Sequence, residues 1–318
     1  MPFGSKKTQP ADLSRVKRYS QKKRSHKTEI TLFGRPLKDA KGADFFESLP
    51  QFLKANDLKE FIEEVVRARK NHRPFHLLLG AHTIKVGLSP IIIDLMKSEI
   101  VTGFSVNGAS VIHDLELAFF GQTSEDVQIG LEDGSFGMVK ETGDLFCEVC
   151  DLAHNNGLGL GEATGKIIID KNAPNQIHSL FAAAHQLGLP ATVHAAIGTD
   201  TVAQHPTFDG AKVGEASYID FKILAGICHE IDRGGVVANL GSAVLLPEVF
   251  LKALTVARNL NKGKSSLTTA NFDMIMHYRP MVNVVTRPTQ NAGKGFSFVG
   301  HHEIMIPLLA WGIKLRIA

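Results

Sequence analysis

Long apolar runs are missing from this chain: no stretch approaches the ~18–20 residues that a membrane-spanning helix needs, which argues against an integral membrane protein. Cysteine is scarce as well. Three cysteines in 318 residues cannot build a disulfide framework, and Met1 to Lys7 lack the apolar stretch of a secretory signal, so a reducing, cytoplasmic setting is expected. The sequence has no Gly-x-Ser-x-Gly elbow and no Gly-x-x-x-x-Gly-Lys-Ser/Thr loop, which leaves serine hydrolases and P-loop nucleotidases without support. It also has no tandem repeat, and no low-complexity linker after residue 40.

What is present is a globular composition, 44% hydrophobic and 21% charged, long enough for one large α/β domain. The charge is uneven. Residues 1–27 hold nine Lys or Arg against Asp12 alone, net +8, so the rest of the chain carries −5 within the total of +3. We therefore read residues 1–40 as a basic arm and 41–318 as one domain. Such an arm is expected to be a solvated extension ordered across a neighbouring subunit; polyanion binding is its sharper alternative, and no nucleic-acid partner is expected beyond it.

Apolar positions recur at helical spacing from Ala43 to Arg69 and predict two consecutive helices. Phe75 to Leu79 is a short apolar run closed by Gly80; Pro90 to Lys97 reads as a helix and Val101 to Val106 as a second strand. A strand, loop, helix, strand unit of this kind crosses over right-handed to a parallel neighbour, which predicts a doubly wound parallel sheet with helices on both faces. Downstream, Ile177 to Gly188 reads as a helix, Ala191 to Ile197 as a strand, Gly234 to Val237 as a strand end feeding a turn, and Ser242 to Asn259 as a helix. Phe272 to Met276 and Met281 to Val285 read as strand pieces, and Ile304 to Leu309 closes the chain.

Some signals carry less than they first suggest. Gly157-Leu-Gly-Leu-Gly161 has glycines at dinucleotide-fingerprint spacing, but Leu145 to Asn156 before it is no clean strand, so a tight loop is expected. Cys147 and Cys150 have the spacing of half a zinc site without a second pair, which suggests partly buried thiols. His194, His205, His229 and His301-His302-Glu303 lack the spacing of a helical metal pair, and no metal is expected.

The most specific text is Leu77-Leu-Leu-Gly-Ala-His-Thr-Ile-Lys-Val-Gly-Leu88 followed by Val106-Asn-Gly-Ala-Ser-Val-Ile-His-Asp-Leu115. Two loops at the carboxyl ends of neighbouring parallel strands would make a crevice suited to a nucleotide. This stretch resembles deoxyhypusine synthase and its bacterial and archaeal relatives. The likeness continues through Gly188 to Asp200, Gly234-Gly-Val-Val237 and Gly300 to Leu309, which resembles the family's terminal strand. It implies a Rossmann-like domain, NAD as cofactor, and a homotetramer built from tight dimers with active sites in their interface. It also implies oxidation of an amine such as spermidine and passage of an aminobutyl group through an imine on an enzyme lysine. Carried across by position, Thr83, Asn107, Gly108, Ala109 and Asp200 would line the cofactor together with Gly234 and Gly235. His113 would stand near the amine, and Asp114, Asp200 and Glu303 would supply an acidic crevice for a cationic substrate. A helix-start role for Asp114 and turn geometry for the glycines are the plain alternatives.

The departures are specific. Where the family has Lys-His-His after Gly-Gly-Val-Val, this chain has Ala238-Asn239-Leu240, and an asparagine cannot titrate near neutral pH. Of the family's Glu-Ala-Val-Ser-Trp-Gly-Lys only Gly293-Lys294 is kept, making Lys294 the first candidate for the imine and Lys85 the reserve. The expectation is thus an NAD-dependent aminoalkyl transferase acting on a small polyamine or guanidino-amine. The alternative is an oligomeric NAD-binding protein that lost the proton-transfer residues and does no chemistry.

Overall fold

The computed structural model describes residues 11–26, 28–33, 46, 49, 51–261 and 266–317; the boundary drawn at residues 40 and 41 lies outside them. At its centre stand strands Phe75–Leu79 (β2), Gly103–Asn107 (β3), Ala191–His194 (β5), Val236–Leu240 (β6), Thr268–Asp273 (β7) and Lys294–Val299 (β8). All run parallel in the order β5-β3-β2-β6-β7-β8. Counted along the chain this is 3-2-1-4-5-6, the dinucleotide-fold order, whose switch point lies between the first and fourth strands, here β2 and β6. A separate antiparallel pair joins Thr28–Glu29 (β1) to Gln122–Thr123 (β4).

A parallel sheet covered on both faces buries its strands along their length, and its strands are mostly apolar. Every residue of β2, β6 and β7 is buried. Leu77 and Leu79 pack into one hydrophobic cluster and Leu78 into the other. On the first side, helix α1 (Leu53–Lys70) inserts Phe61 among Phe75, Phe272, Phe296 and Phe298, with ring centroids 5.7 to 6.4 Å apart. One row of polar groups crosses the sheet: His76 Nε2 meets Ser105 Oγ at 2.9 Å, Ser105 meets Thr192 at 2.7 Å, and Thr192 meets His194 Nε2 at 3.1 Å. Burial pushes His76 down to about 3 and His194 to about 4, so both are neutral core histidines.

Three elements differ from the sequence reading. The Gly234-Gly235 pair precedes β6 instead of ending a strand. Met281–Thr286 is a π-helical turn, and the last apolar run belongs to a helix, His302–Ile317, with Lys294–Val299 as the final strand. A six-residue apolar run fits helix or strand equally; the extent to Ile317 decides for helix. Of the glycine-rich Gly157 to Gly161, Gly157 to Gly159 form the turn between helix α6 (Lys140–Asn156) and helix α7 (Leu160–Asp170), and Gly161 lies in the first turn of α7. Cys147 and Cys150 lie on α6, where burial raises both thiols, Cys150 to about 12.

The described arm is exposed at residues 11–15 and packs on the domain around Arg18 to Arg24. At the start of α6 the Tyr19 amide donates to the Met138 carbonyl at 3.0 Å and its carbonyl accepts from the Lys140 amide at 2.8 Å; Arg18 pairs with Asp144 at 2.6 Å, and Ser20 donates to Glu141 at 2.8 Å. These acidic partners belong to the same chain, so part of the arm's charge is neutralised within the molecule.

Candidate active site

Two loops at the carboxyl end of the sheet build the site. After β2 the chain turns at Gly80 into a single helical turn, His82–Lys85. Gly80 donates to the Leu240 carbonyl at 2.8 Å, and a Cβ here would overlap the Gly241 carbonyl, so only glycine allows the two switch-point strands to meet. After β3 the chain passes directly into helix α4 (Gly108–Phe120), capped by Asn107, whose Oδ1 accepts from the Ser110 amide at 3.2 Å and the Ser110 hydroxyl at 2.7 Å.

Beside these loops lies a cavity of about 230 Å³. Lys85 lines it from the turn after β2, Ala109, His113 and Glu116 from α4, Thr199 and Thr201 from the segment after β5, and Arg24 from the arm. Arg24 and Glu116, 5% and 1% exposed, join through two N–H···O bonds of 2.9 and 2.8 Å. Thr142 donates to the same carboxylate at 2.8 Å, and Thr123 donates to it as well. Burial alone would raise the Glu116 carboxyl; the Arg24 hydrogen bonds and charge outweigh it and hold the group below its ordinary value. Glu125 accepts from the Tyr19 hydroxyl at 2.7 Å and the Gly137 amide at 2.9 Å. Burial pushes His113 down to about 4 against the pull of Glu116, so its imidazole is neutral at pH 7. The cavity thus brings an amine, Lys85, and a neutral imidazole, His113, to one space.

Asn107, Gly108 and Asp200 act together. Asp200 is 7% exposed and accepts from the Ala196 amide at 3.1 Å and from the Ala109 amide at the start of α4. A Cβ on Gly108 would overlap that carboxylate. An anion of the protein itself therefore stands where a helix N-terminus would hold a phosphate. Gly108→Val is expected to destabilise the fold by about 1–3 kcal/mol, the scale of overpacking, in urea unfolding with or without NAD present.

The remaining expected residues divide by position. Thr83 is buried and donates to the Gly80 carbonyl at 2.8 Å, bracing the turn. Asn239, buried in β6, donates to Asn271 Oδ1 at 2.7 Å and to the Ser242 carbonyl at 2.9 Å. Glu303 is exposed in the first turn of the final helix. Asp114, fully buried, accepts from Ser179 and from the Leu180 amide at 2.9 Å, which caps helix α8 (Leu180–Leu187) and turns its oxygens away from any substrate. Gly234 and Gly235 precede β6 and Lys294 opens β8, so all three stand at the amino end of a parallel sheet, opposite the loops above. Lys294 there pairs with Glu60 and Glu64 of α1. Neither a cofactor role for the glycines nor the imine role for Lys294 fits that placement. Sequence reasoning missed Arg24, Thr123 and Glu116; the one available signal was Glu116, three residues after His113 on the same helix face.

No family model and no curated protein matches the chain. Solved structures do. The chain is similar to AgrE in its ternary complex with ornithine and NAD+, with TM-score 0.51 and 11% identity over 82% of this chain and 32% of that one. Unliganded AgrE gives 0.51 and 12% over the same 82% and 32%. A putative deoxyhypusine synthase from Entamoeba histolytica is also similar, with TM-score 0.49 and 10% identity over 88% of this chain and 96% of that one. The chain shares a fold with AgrE. It spans about a third of the AgrE chains, and identities near a tenth make the relationship a divergent one, in fold alone.

Proposed function

We propose that the protein is an NAD-dependent enzyme that moves an aminoalkyl group from a small polyamine or guanidino-amine to an amine acceptor, with Lys85 as the imine-forming amine and His113 beside the substrate nitrogen. The observation that carries this reading is the switch-point crevice of a dinucleotide-type sheet lying next to a cavity that holds both Lys85 and a neutral His113. The residues at the crevice suit the sugar and amide groups of a dinucleotide: Asn239 Oδ1, Asp273 Oδ2 and His302 Nδ1 are buried without a hydrogen-bond partner. The start of α4, filled by Asp200, does not suit the pyrophosphate. A bound nicotinamide would supply a hydride acceptor for the donor carbon beside nitrogen. A neutral His113 accepts a hydrogen bond from an amine and does not repel an ammonium.

Exposed Ile275, Met276, Tyr278 and Val299 at the carboxyl end of the sheet support assembly of several copies there, with a homotetramer as the proposed state. Among the described residues no helix is long and apolar enough to cross a membrane, and a cytoplasmic location is part of the same proposal.

Incubation with NAD and spermidine, without an acceptor, is expected to give reduced nicotinamide and diaminopropane in equal amounts. NAD binding by calorimetry without turnover of any diamine or polyamine would instead favour the non-catalytic binder, and no NAD binding at all would end both readings.

A further inference from the structure

We infer that Thr123, held by the Arg24–Glu116 pair, is a positioning residue that locks His113 in the tautomer with its proton on Nδ1, so that Nε2 is presented as a hydrogen-bond acceptor for an amine in the cavity. Glu116 is an ionised carboxylate: it accepts two bonds from the Arg24 guanidinium and one from Thr142, and has no proton to give. Its contact with Thr123 is therefore a bond donated by the Thr123 hydroxyl. That hydroxyl has one proton, and it is used.

Thr123 also lies 2.7 Å from His113 Nδ1. With its proton committed to Glu116, it can only accept there, so Nδ1 carries the hydrogen. A neutral imidazole has one N–H, and the lone pair falls to Nε2. His113 forms part of the cavity wall, and among the described residues nothing hydrogen-bonds to Nε2. Three separate elements fix this chain of contacts: the arm brings Arg24, α4 brings His113 and Glu116, and β4 brings Thr123. Pairing of Thr123 with Thr28 in β1 ties the last to the residues that follow the arm.

The consequence concerns selectivity, and it rests on the amine reading of the cavity. A lone pair on Nε2 suits a ligand that offers N–H donors, such as an amine or ammonium, and opposes a carboxylate or carbonyl at the same spot. Substrate choice would then be set by Thr123, which itself touches no substrate.

The test is nitrogen NMR of the side-chain imidazoles in the full chain, with His113→Gln used to assign the signal. In the unsubstituted protein at neutral pH the His113 signals are expected to show a protonated Nδ1 and an unprotonated Nε2. Thr123→Val should mix the tautomers, and Thr123→Ser should restore the single one. Thr142→Val, which removes a donor to the same carboxylate without touching His113, is expected to keep it and serves as the control where Thr123→Val fails to fold. A protonated Nε2 in the unsubstituted protein, or a Thr123→Val signal unchanged from it, overturns the inference. Spermidine titration separates the two claims: a shift of the Nε2 signal that weakens roughly two- to tenfold in Thr123→Val, the range for one lost hydrogen bond, supports both. The stated tautomer with no response to any amine overturns the amine reading of the cavity and leaves the tautomer assignment standing.

Discussion

Arg24→Ala is expected to cost about 3–5 kcal/mol of folding stability, the largest loss from any single change near the cavity, because it strands a buried carboxylate. Both partners are almost wholly buried, and the pair is bidentate, so the contribution is not that of a surface ion pair. The pH dependence gives the effect a signature. In the unsubstituted protein Glu116 titrates below its ordinary value of 4.5, so its contribution is complete above that value and is lost as pH falls through the lower, folded one. Without Arg24 only burial and the threonine donors act, and burial drives the carboxyl up. The variant then loses stability as pH rises through that raised value. The deficit in urea unfolding should therefore be largest at neutral pH and shrink toward acid, and Arg24→Ala combined with Glu116→Gln should recover part of it. A deficit that does not change with pH would mean that Arg24 acts through packing and not through the charge of Glu116.

Arg24 also marks where reading the sequence stops. Nine basic residues near the start of the chain look like a polyelectrolyte arm, and nothing local distinguishes Arg24 from Lys22 or Lys23. Its acceptor lies 92 residues away, and such partners are set by tertiary packing. The sheet was easier to read. Phe75 to Leu79 and Pro90 to Lys97 are bounded by glycine or proline and keep one periodicity throughout, so strand, helix and parallel crossover follow from them, and with them the dinucleotide-type architecture. Gly234-Gly235 shows the ambiguity that remains, because a glycine pair beside an apolar run marks a strand end without saying which end. That one bit decides whether the pair sits at the ligand-binding side of a parallel sheet. Lys294 fails for the same reason: Phe296 and Phe298, alternating with Ser297, read as a strand once its start is known, and a lysine that opens a parallel strand lies opposite the site. Asp114 sits immediately after His113, yet on a helix successive side chains diverge by about 100°, so one faces the cavity and the other caps α8.

The reaction should therefore depend on Lys85 and not on Lys294. Borohydride added during turnover with NAD and a polyamine reduces an imine to a stable secondary amine, and the peptide that carries Lys85 is expected to gain the aminoalkyl mass. Lys85→Arg keeps the positive charge but offers no amine that is neutral in a protein, so it should abolish labelling. Turnover should fall at least ~10²-fold, the lower end of what a positioned catalytic group contributes. Lys294→Ala removes a half-exposed side chain from Glu60 and Glu64 at the far end of the sheet. It should leave labelling intact and cost little stability, because Glu60 is exposed and the buried Glu64 keeps Arg67 as a partner. Label on the Lys294 peptide would require that end of the sheet to reach the cofactor, which the parallel register of β7 and β8 forbids. Label on neither lysine while reduced nicotinamide still accumulates would leave the oxidation in place and remove the covalent step, so that the acceptor amine would attack the oxidised donor directly in the cavity.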